Sequence, residues 1–159
     1  MHLIILCYYL KAMNINIFER LKKGFVAENV KVLQQVGMEL SQYLPQSVTI
    51  ALSGDLGAGK TTFVGGLAKG WGIDAIVTSP TFTLFNIYEG CRRLIHMDAY
   101  RLNTPEAVLN LGIESFCISP YAFVIEWPEK LGVYLPDDAL HLSLSVVAGG
   151  RQLIMQSEY

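Results

Sequence analysis

Between residues 27 and 44, apolar side chains at Val30, Leu33, Val36, Leu40 and Leu44 recur at steps of three and four, with Gly37 on the same face. That spacing predicts an amphipathic helix, stopped by Pro45, which lacks the N–H that a further turn requires. A dense apolar run at 47–52 predicts a buried strand. Residues 60–71 return to helical spacing, with Phe63, Val64, Leu67 and Ala68 on one face and Gly70 and Gly72 at the exit. Runs at 83–88 and 93–97, joined through Glu89-Gly90, predict a hairpin. Thr104-Pro105-Glu106-Ala107 supplies an N-cap, a first-turn proline and an acid for a short helix to about Leu111. Residues 121–125 form a second wholly apolar strand that runs into Glu126, and 140–147 with 152–155 flank Gly149-Gly150 as a late hairpin. Strands that alternate with helices in the middle and pair as hairpins at the end imply an α/β fold with a sheet of mixed direction.

The length, 159 residues, fits one domain. We expect it over 27–159, with 1–26 as an N-terminal arm; its first dozen residues are apolar without a cap or turn signal, and are either an edge strand or sequence upstream of a true start at Met13. A composition 52% hydrophobic and 16% charged excludes disorder as the main state. Twelve Lys and Arg against fourteen Asp and Glu leave a net charge of −2, so there is no basic surplus for binding nucleic acid unaided. The longest apolar run, 3–10, falls far short of the ~20 residues of a membrane span, and a cytoplasmic protein is expected. Cys7, Cys91 and Cys117 form no Cys-x-x-Cys pair and are expected as buried, reduced thiols, so no metal site other than one for Mg²⁺ is anticipated.

The most informative stretch joins the first strand to the second helix. Gly54-Asp55-Leu56-Gly57-Ala58-Gly59-Lys60-Thr61 matches G-x-x-x-x-G-K-[ST] in the required strand–loop–helix context. Glycines let the backbone curl so that successive N–H groups face a phosphate, and the helix N-terminus adds partial positive charge. Lys60 then neutralises the β- and γ-phosphates and the Thr61 hydroxyl ligates Mg²⁺, with Thr62 beside it; an open, solvent-accessible Lys60 is expected in the empty loop. A carboxylate near the metal is also needed. Asp98 and Glu126 each end an apolar run, and the carboxyl ends of neighbouring strands face the same crevice. His96 shares the strand face of Asp98 and is either part of the site's surroundings or an ordinary interior histidine. The chain contains no Asn-Lys pair for the guanine-reading N-K-x-D element, so ATP is the expected nucleotide.

Four segments in order, LSGDLGAGKTTF at 52–63, TSPTFTL at 78–84, HMDAYRL at 96–102 and IEWPEKL at 125–131, resemble the TsaE family, formerly YjeE, over residues 27 to about 155. The resemblance implies a P-loop NTPase-like three-layer sandwich with a mixed sheet and late hairpins. It also implies a small ATPase of tRNA threonylcarbamoyladenosine synthesis that acts with TsaD and TsaB and meets tRNA only through them. It places Thr81 or Ser79 near the γ-phosphate, Asp98 on the family's functional aspartate, Glu126 on the magnesium acid, Tyr100 and Arg101 in the third motif, and Trp127 as an aromatic beside the nucleotide. The threonine that many members carry near the adenine is missing from Glu28-Asn29-Val30-Lys31-Val32, leaving Arg151 as a candidate for that end. Two other readings compete: a small-molecule kinase, and a nucleotide-gated binding module without useful turnover.

Overall fold

The computed structural model describes residues 16–80 and 82–156. Helix α1 (Ile17–Lys22) and the short strand β1 (Phe25–Ala27) lead into α2 (Val30–Ser41), β2 (Ser47–Ser53) and α3 (Lys60–Gly70). Strands β3 (Phe85–Tyr88), β4 (Arg93–Asp98), β5 (Tyr121–Glu126), β6 (Leu140–Val147) and β7 (Gly150–Met155) follow, with 3₁₀ turns between them. The seven strands among the described residues lie in one sheet in the order β1-β7-β6-β2-β5-β4-β3. The middle four, β6, β2, β5 and β4, run parallel, while β3, β7 and β1 pair antiparallel at the margins. The mixed α/β sheet and both hairpins expected from the sequence are present.

Period-two alternation divides the sheet into two faces. On one, Val48, Ile50 and Leu52 of β2, Leu94 of β4, Ala122 and Val124 of β5 and Leu140, Leu142 and Leu144 of β6 pack beneath Leu33, Val36 and Leu40 of α2 and Phe63, Val64 and Leu67 of α3. On the other, Ile95, Met97, Phe123 and Ile125 are covered by Leu102, Val108, Ile113 and Leu131 from the 3₁₀ turns. The third layer is therefore built of turns, and among the described residues no α-helix lies on that face. Residues 105–111, expected as a helix, form a 3₁₀ segment in which only Val108 is buried; Thr104 stands at its N-cap without a side-chain hydrogen bond, and one buried residue gives an α-helical stripe too little to pack on.

The structure also alters the N-terminal boundary. Residues 16–26, expected as part of an arm, pack on the domain through a few buried side chains and one strand pairing. Ile17 and Leu21 are buried, β1 pairs with β7, and Arg20 of α1 is bridged to Glu39 of α2 at 2.9 Å through Nη1. Helix α2 starts at Val30, not Ala27, because the Asn29 side chain caps it by accepting the Val32 N–H, while Ala27 is spent in β1. The apolar segment 1–12 and Met13 lie outside the described residues. Strand β3 begins at Phe85 and not at Thr83, since Leu84 has a left-handed backbone with φ 65°. Cys91, expected to be buried, is exposed in the β3–β4 turn, and Cys117 is half-buried. No described helix is long and apolar enough to cross a membrane.

Helices α2 and α3 meet at glycines. A Cβ on Gly37 would lie 2.6 Å from the Phe63 carbonyl oxygen, and one on Gly66 only 2.2 Å from that of Gln34. This close approach sets how far α3, and the loop at its N-terminus, stands from the sheet. Gly66→Ala tests it: the gain in helix propensity, about 1 kcal/mol, opposes an overpacking cost of ~1–3 kcal/mol against backbone that cannot yield. We expect a lowered thermal midpoint; an unchanged or raised one would show that the helices can separate freely.

Candidate functional site

The carboxyl ends of β2, β5 and β4 meet the N-terminus of α3, and the site is assembled there. Loop 54–59 leaves β2 and enters α3 through Gly59, whose φ of 104° is left-handed; a Cβ there would also lie 2.9 Å from Leu33 Cδ2 of α2. Gly59 offers no side-chain cap, so the first-turn N–H groups of α3 are left for a ligand or water. Leu56 at the loop tip is exposed, Ala58 is buried in the core, and Gly57 adopts a φ of 80°.

Lys60 does not stand open. Its side chain folds back beneath the loop, where Nζ donates to the Gly54 carbonyl at 2.6 Å and the Asp55 carbonyl at 2.9 Å, and the residue is only 5% exposed. The expected solvent-accessible lysine is thus corrected: the carbonyls of its own loop lie within reach and accept from Nζ. Nζ also lies 4.2 Å from the centroid of the Trp127 ring, a cation–π contact. Burial pulls the Lys60 pKa below its ordinary value, opposed by the carboxylates of Glu126, Asp98, Glu129 and Asp55. Of these, Glu129 was missed in the sequence, although its position three residues after Glu126 in the turn Pro128–Lys130 puts it within reach.

Thr61 Oγ1 donates to Glu126 Oε1 at 3.0 Å, and His96 Nε2 lies 2.8 Å from that same oxygen. Glu126 is 3% exposed and His96 fully buried. Strand register explains the meeting. Asp98 is paired with Glu126 across β4 and β5, so His96, two residues earlier, shares its face beneath α3. Asp98 turns its oxygens elsewhere: Oδ1 accepts the Tyr100 N–H at 3.0 Å and Oδ2 the Ser79 hydroxyl at 3.0 Å. Ser79 thereby ties the segment after α3 to β4, whereas Thr81 lies outside the described residues. Trp127 is held in a left-handed backbone, φ 59°, with its ring against both Lys60 and Tyr100, the latter at 5.0 Å between centroids. Arg151, opposite Ala27 in the β1–β7 ladder, has its Cδ 3.8 Å from where a Gly59 side chain would begin, so it borders the loop from the β7 side.

A hydroxyl and a carboxylate oxygen side by side suit a hard cation such as Mg²⁺, which takes one or two protein oxygens and completes its shell with phosphate and water. No group of three or more His, Cys, Asp or Glu side chains able to hold a metal is gathered among the described residues. A cation at Thr61 and Glu126 would therefore depend on a bound phosphate for its remaining ligands.

The family model for TsaE, the threonylcarbamoyl adenosine biosynthesis protein, matches residues 27–153. The tRNA threonylcarbamoyladenosine biosynthesis protein TsaE of Treponema pallidum is 41% identical over 118 residues, covering 74% of this chain and 87% of its own. Its namesake from Nostoc is 41% identical over 132 residues, covering 80% of each. The crystal structure of Bacillus subtilis YdiB superposes with a TM-score of 0.69 at 28% identity, covering 83% of this chain and 82% of the other.

The ammonium over the indole makes Trp127 a reporter of the loop. An anion that draws Nζ off the ring should change Trp127 emission, with the buried Trp71 as a steady background. We expect a saturable change on titration with a nucleoside triphosphate, abolished by Lys60→Met and by Trp127→Phe. A response that survives Lys60→Met would place the anion away from this lysine.

Proposed function

The chain belongs to the TsaE family of tRNA threonylcarbamoyladenosine biosynthesis proteins, and from that premise we propose that it is an ATPase that binds ATP and Mg²⁺ at the β2–α3 loop and acts with TsaD and TsaB. In this reading it hydrolyses ATP slowly alone and faster within that complex, and so turns the complex over while an adenosine of tRNA is modified. The observation that carries the reading is the 3.0 Å contact between Thr61 Oγ1 and Glu126 Oε1 beside an uncapped helix N-terminus. A phosphate-binding loop needs that hydroxyl and that carboxylate together, and their residues lie 65 positions apart in sequence.

Each residue has a definable task. Lys60 exchanges two neutral carbonyls for phosphate oxygens; its hydrogen bonds are charge-assisted with either acceptor, and an anion adds the attraction of opposite full charges, which an ammonium destabilised by burial gains most from. Gly54, Asp55, Leu56, Gly57, Ala58, Gly59 and Thr62 present the backbone around the phosphates, Trp127 flanks them, and Arg151, beside Gly59, is assigned to the adenine end. When bound at Thr61 and Glu126, Mg²⁺ supplies neutralisation of charge on the phosphate oxygens. Asp98 acts from the neighbouring strand, on the metal shell or on the attacking water, and holds Ser79 at the entrance.

Slow turnover alone follows from where the arginines are: Arg151 borders Gly59 and is assigned to the adenine end, Arg20 is bridged to Glu39, and the other three are engaged elsewhere. Arg92 donates to the Pro45 and Leu44 carbonyls and lies over Trp71, Arg93 is bound to Glu89 and the Phe116 carbonyl, and Arg101 lies over Phe82. An arginine that neutralises transition-state charge contributes roughly 10³ to 10⁵ in rate, and a partner is the natural source of it. The net charge of −2 likewise leaves tRNA contact to the partners.

Two measurements test this. Glu126→Gln keeps the shape but removes the negative charge, and should lower partner-stimulated turnover by about tenfold or more while nucleotide binding survives. Phosphate release by the unaltered protein should be slow alone, unmoved by tRNA alone and clearly raised by TsaD with TsaB. Phosphate appearing on a small hydroxylated acceptor would instead establish a kinase, and no turnover in any mixture a nucleotide-gated binding module.

A further inference from the structure

His96 is fully buried, yet only one of its ring nitrogens has a partner. Nε2 meets Glu126 Oε1 at 2.8 Å, whereas Nδ1 is buried with no hydrogen-bond partner. A proton on Nδ1 would be an enclosed donor without an acceptor, which costs more than a bare ring lone pair. The hydrogen-bond pattern therefore puts the proton on Nε2, donating to the carboxylate. Glu126 Oε1 then accepts twice, from His96 on β4 and from Thr61 on α3, and those two donors together fix the rotation of a carboxylate at the end of β5.

We propose that His96 is a positioning residue for Glu126: as a neutral Nε2–H donor it holds the carboxylate on Thr61, and so sets how tightly the Thr61–Glu126 pair takes a divalent cation. The inference rests on the reading above that this pair holds Mg²⁺. Its physical basis is general, since a ligand oriented by a buried donor loses less freedom when the metal arrives, and loss of such a partner typically weakens metal binding by about 10- to 100-fold. The position also explains why the histidine is tolerated among apolar neighbours. On the α3 face of β4 it follows Leu94, and its register partner on β5 is Val124.

The test is calorimetric binding of ADP to the full chain across a series of Mg²⁺ concentrations, with no turnover required. His96→Leu should raise the Mg²⁺ needed for half-maximal enhancement of ADP binding by about tenfold or more and leave ADP affinity without Mg²⁺ unchanged. His96→Gln, whose amide N–H reaches the place of Nε2, should restore most of the loss; His96→Asn, whose amide reaches only as far as Nδ1, should not. In a Glu126→Gln background, replacing His96 should have no further effect on the Mg²⁺ dependence. If His96→Leu fails to fold, the Gln and Asn variants carry the comparison, and equal Mg²⁺ dependence in the two would overturn the proposal. A Mg²⁺-dependent wild type unaffected by His96→Leu overturns this inference alone. A wild type whose ADP binding ignores Mg²⁺ overturns the metal reading and this inference with it.

Discussion

A buried carboxylate must be given donors, and at Glu126 it receives them from two different elements. The Thr61 hydroxyl comes from the first turn of α3 and the His96 ring from the adjacent strand β4. Neither donor is available unless β4 and β5 are in the observed register and α3 sits at its observed height over the sheet. Removing a donor from such a buried, hydrogen-bonded carboxylate is costly, on the order of 1–3 kcal/mol or more. Glu126 therefore works as a gauge for the surrounding elements: an alternative register would move it to the opposite face, away from both donors.

The helix height is set by steric contact and not by polar attraction. Gly37 and Gly66 bring α2 and α3 together at backbone distance, and Leu33 of α2 continues the contact up to Gly59, where the loop enters α3. The loop is thus braced from below by apolar packing and closed from within by Lys60, which links the carbonyls of Gly54 and Asp55. Burial leaves this ammonium in a poor environment, and under the proposed function a phosphate would offer it a better one. Trp127 accepts the waiting ammonium on its ring face, which gives its left-handed backbone a purpose, and Tyr100 packs against the same indole.

The two faces of the sheet divide the work. The helix-covered face carries Glu126, His96 and Asp98 at the strand ends, continuous with the core that holds α3. The turn-covered face is a separate apolar cluster around Met97, Phe123 and Ile125, and it anchors the 3₁₀ segments that follow the functional strands. Asp98 and Trp127 stand where strand gives way to turn, so packing on the far face helps to fix residues used on the near one.

How much of this was legible beforehand differs between elements. Helices α2 and α3, strands β2 and β5 and both hairpins follow from hydrophobic spacing, because their buried stripes are long enough to show a period. The phosphate-binding loop is legible because its chemistry needs specific residues at fixed spacing within one short segment. Elements that owe their form to distant partners were not legible: α1 and β1 are too short to show a period and are held by Glu39 and by β7, and residues 105–111 take the form their one buried valine allows. The same division runs through the site. The sequence by itself determined that a lysine, a threonine, two acids and a histidine were available, since each sits in a motif or at the end of an apolar strand. Only the tertiary structure decided that Lys60 is buried on its own loop, that Asp98 faces Ser79 and Tyr100, that Arg151 borders Gly59, and that Glu126 is shared by Thr61 and His96. Those choices depend on hydrogen bonds and contacts between residues tens of positions apart, which strand register and helix packing bring together and which no local pattern encodes.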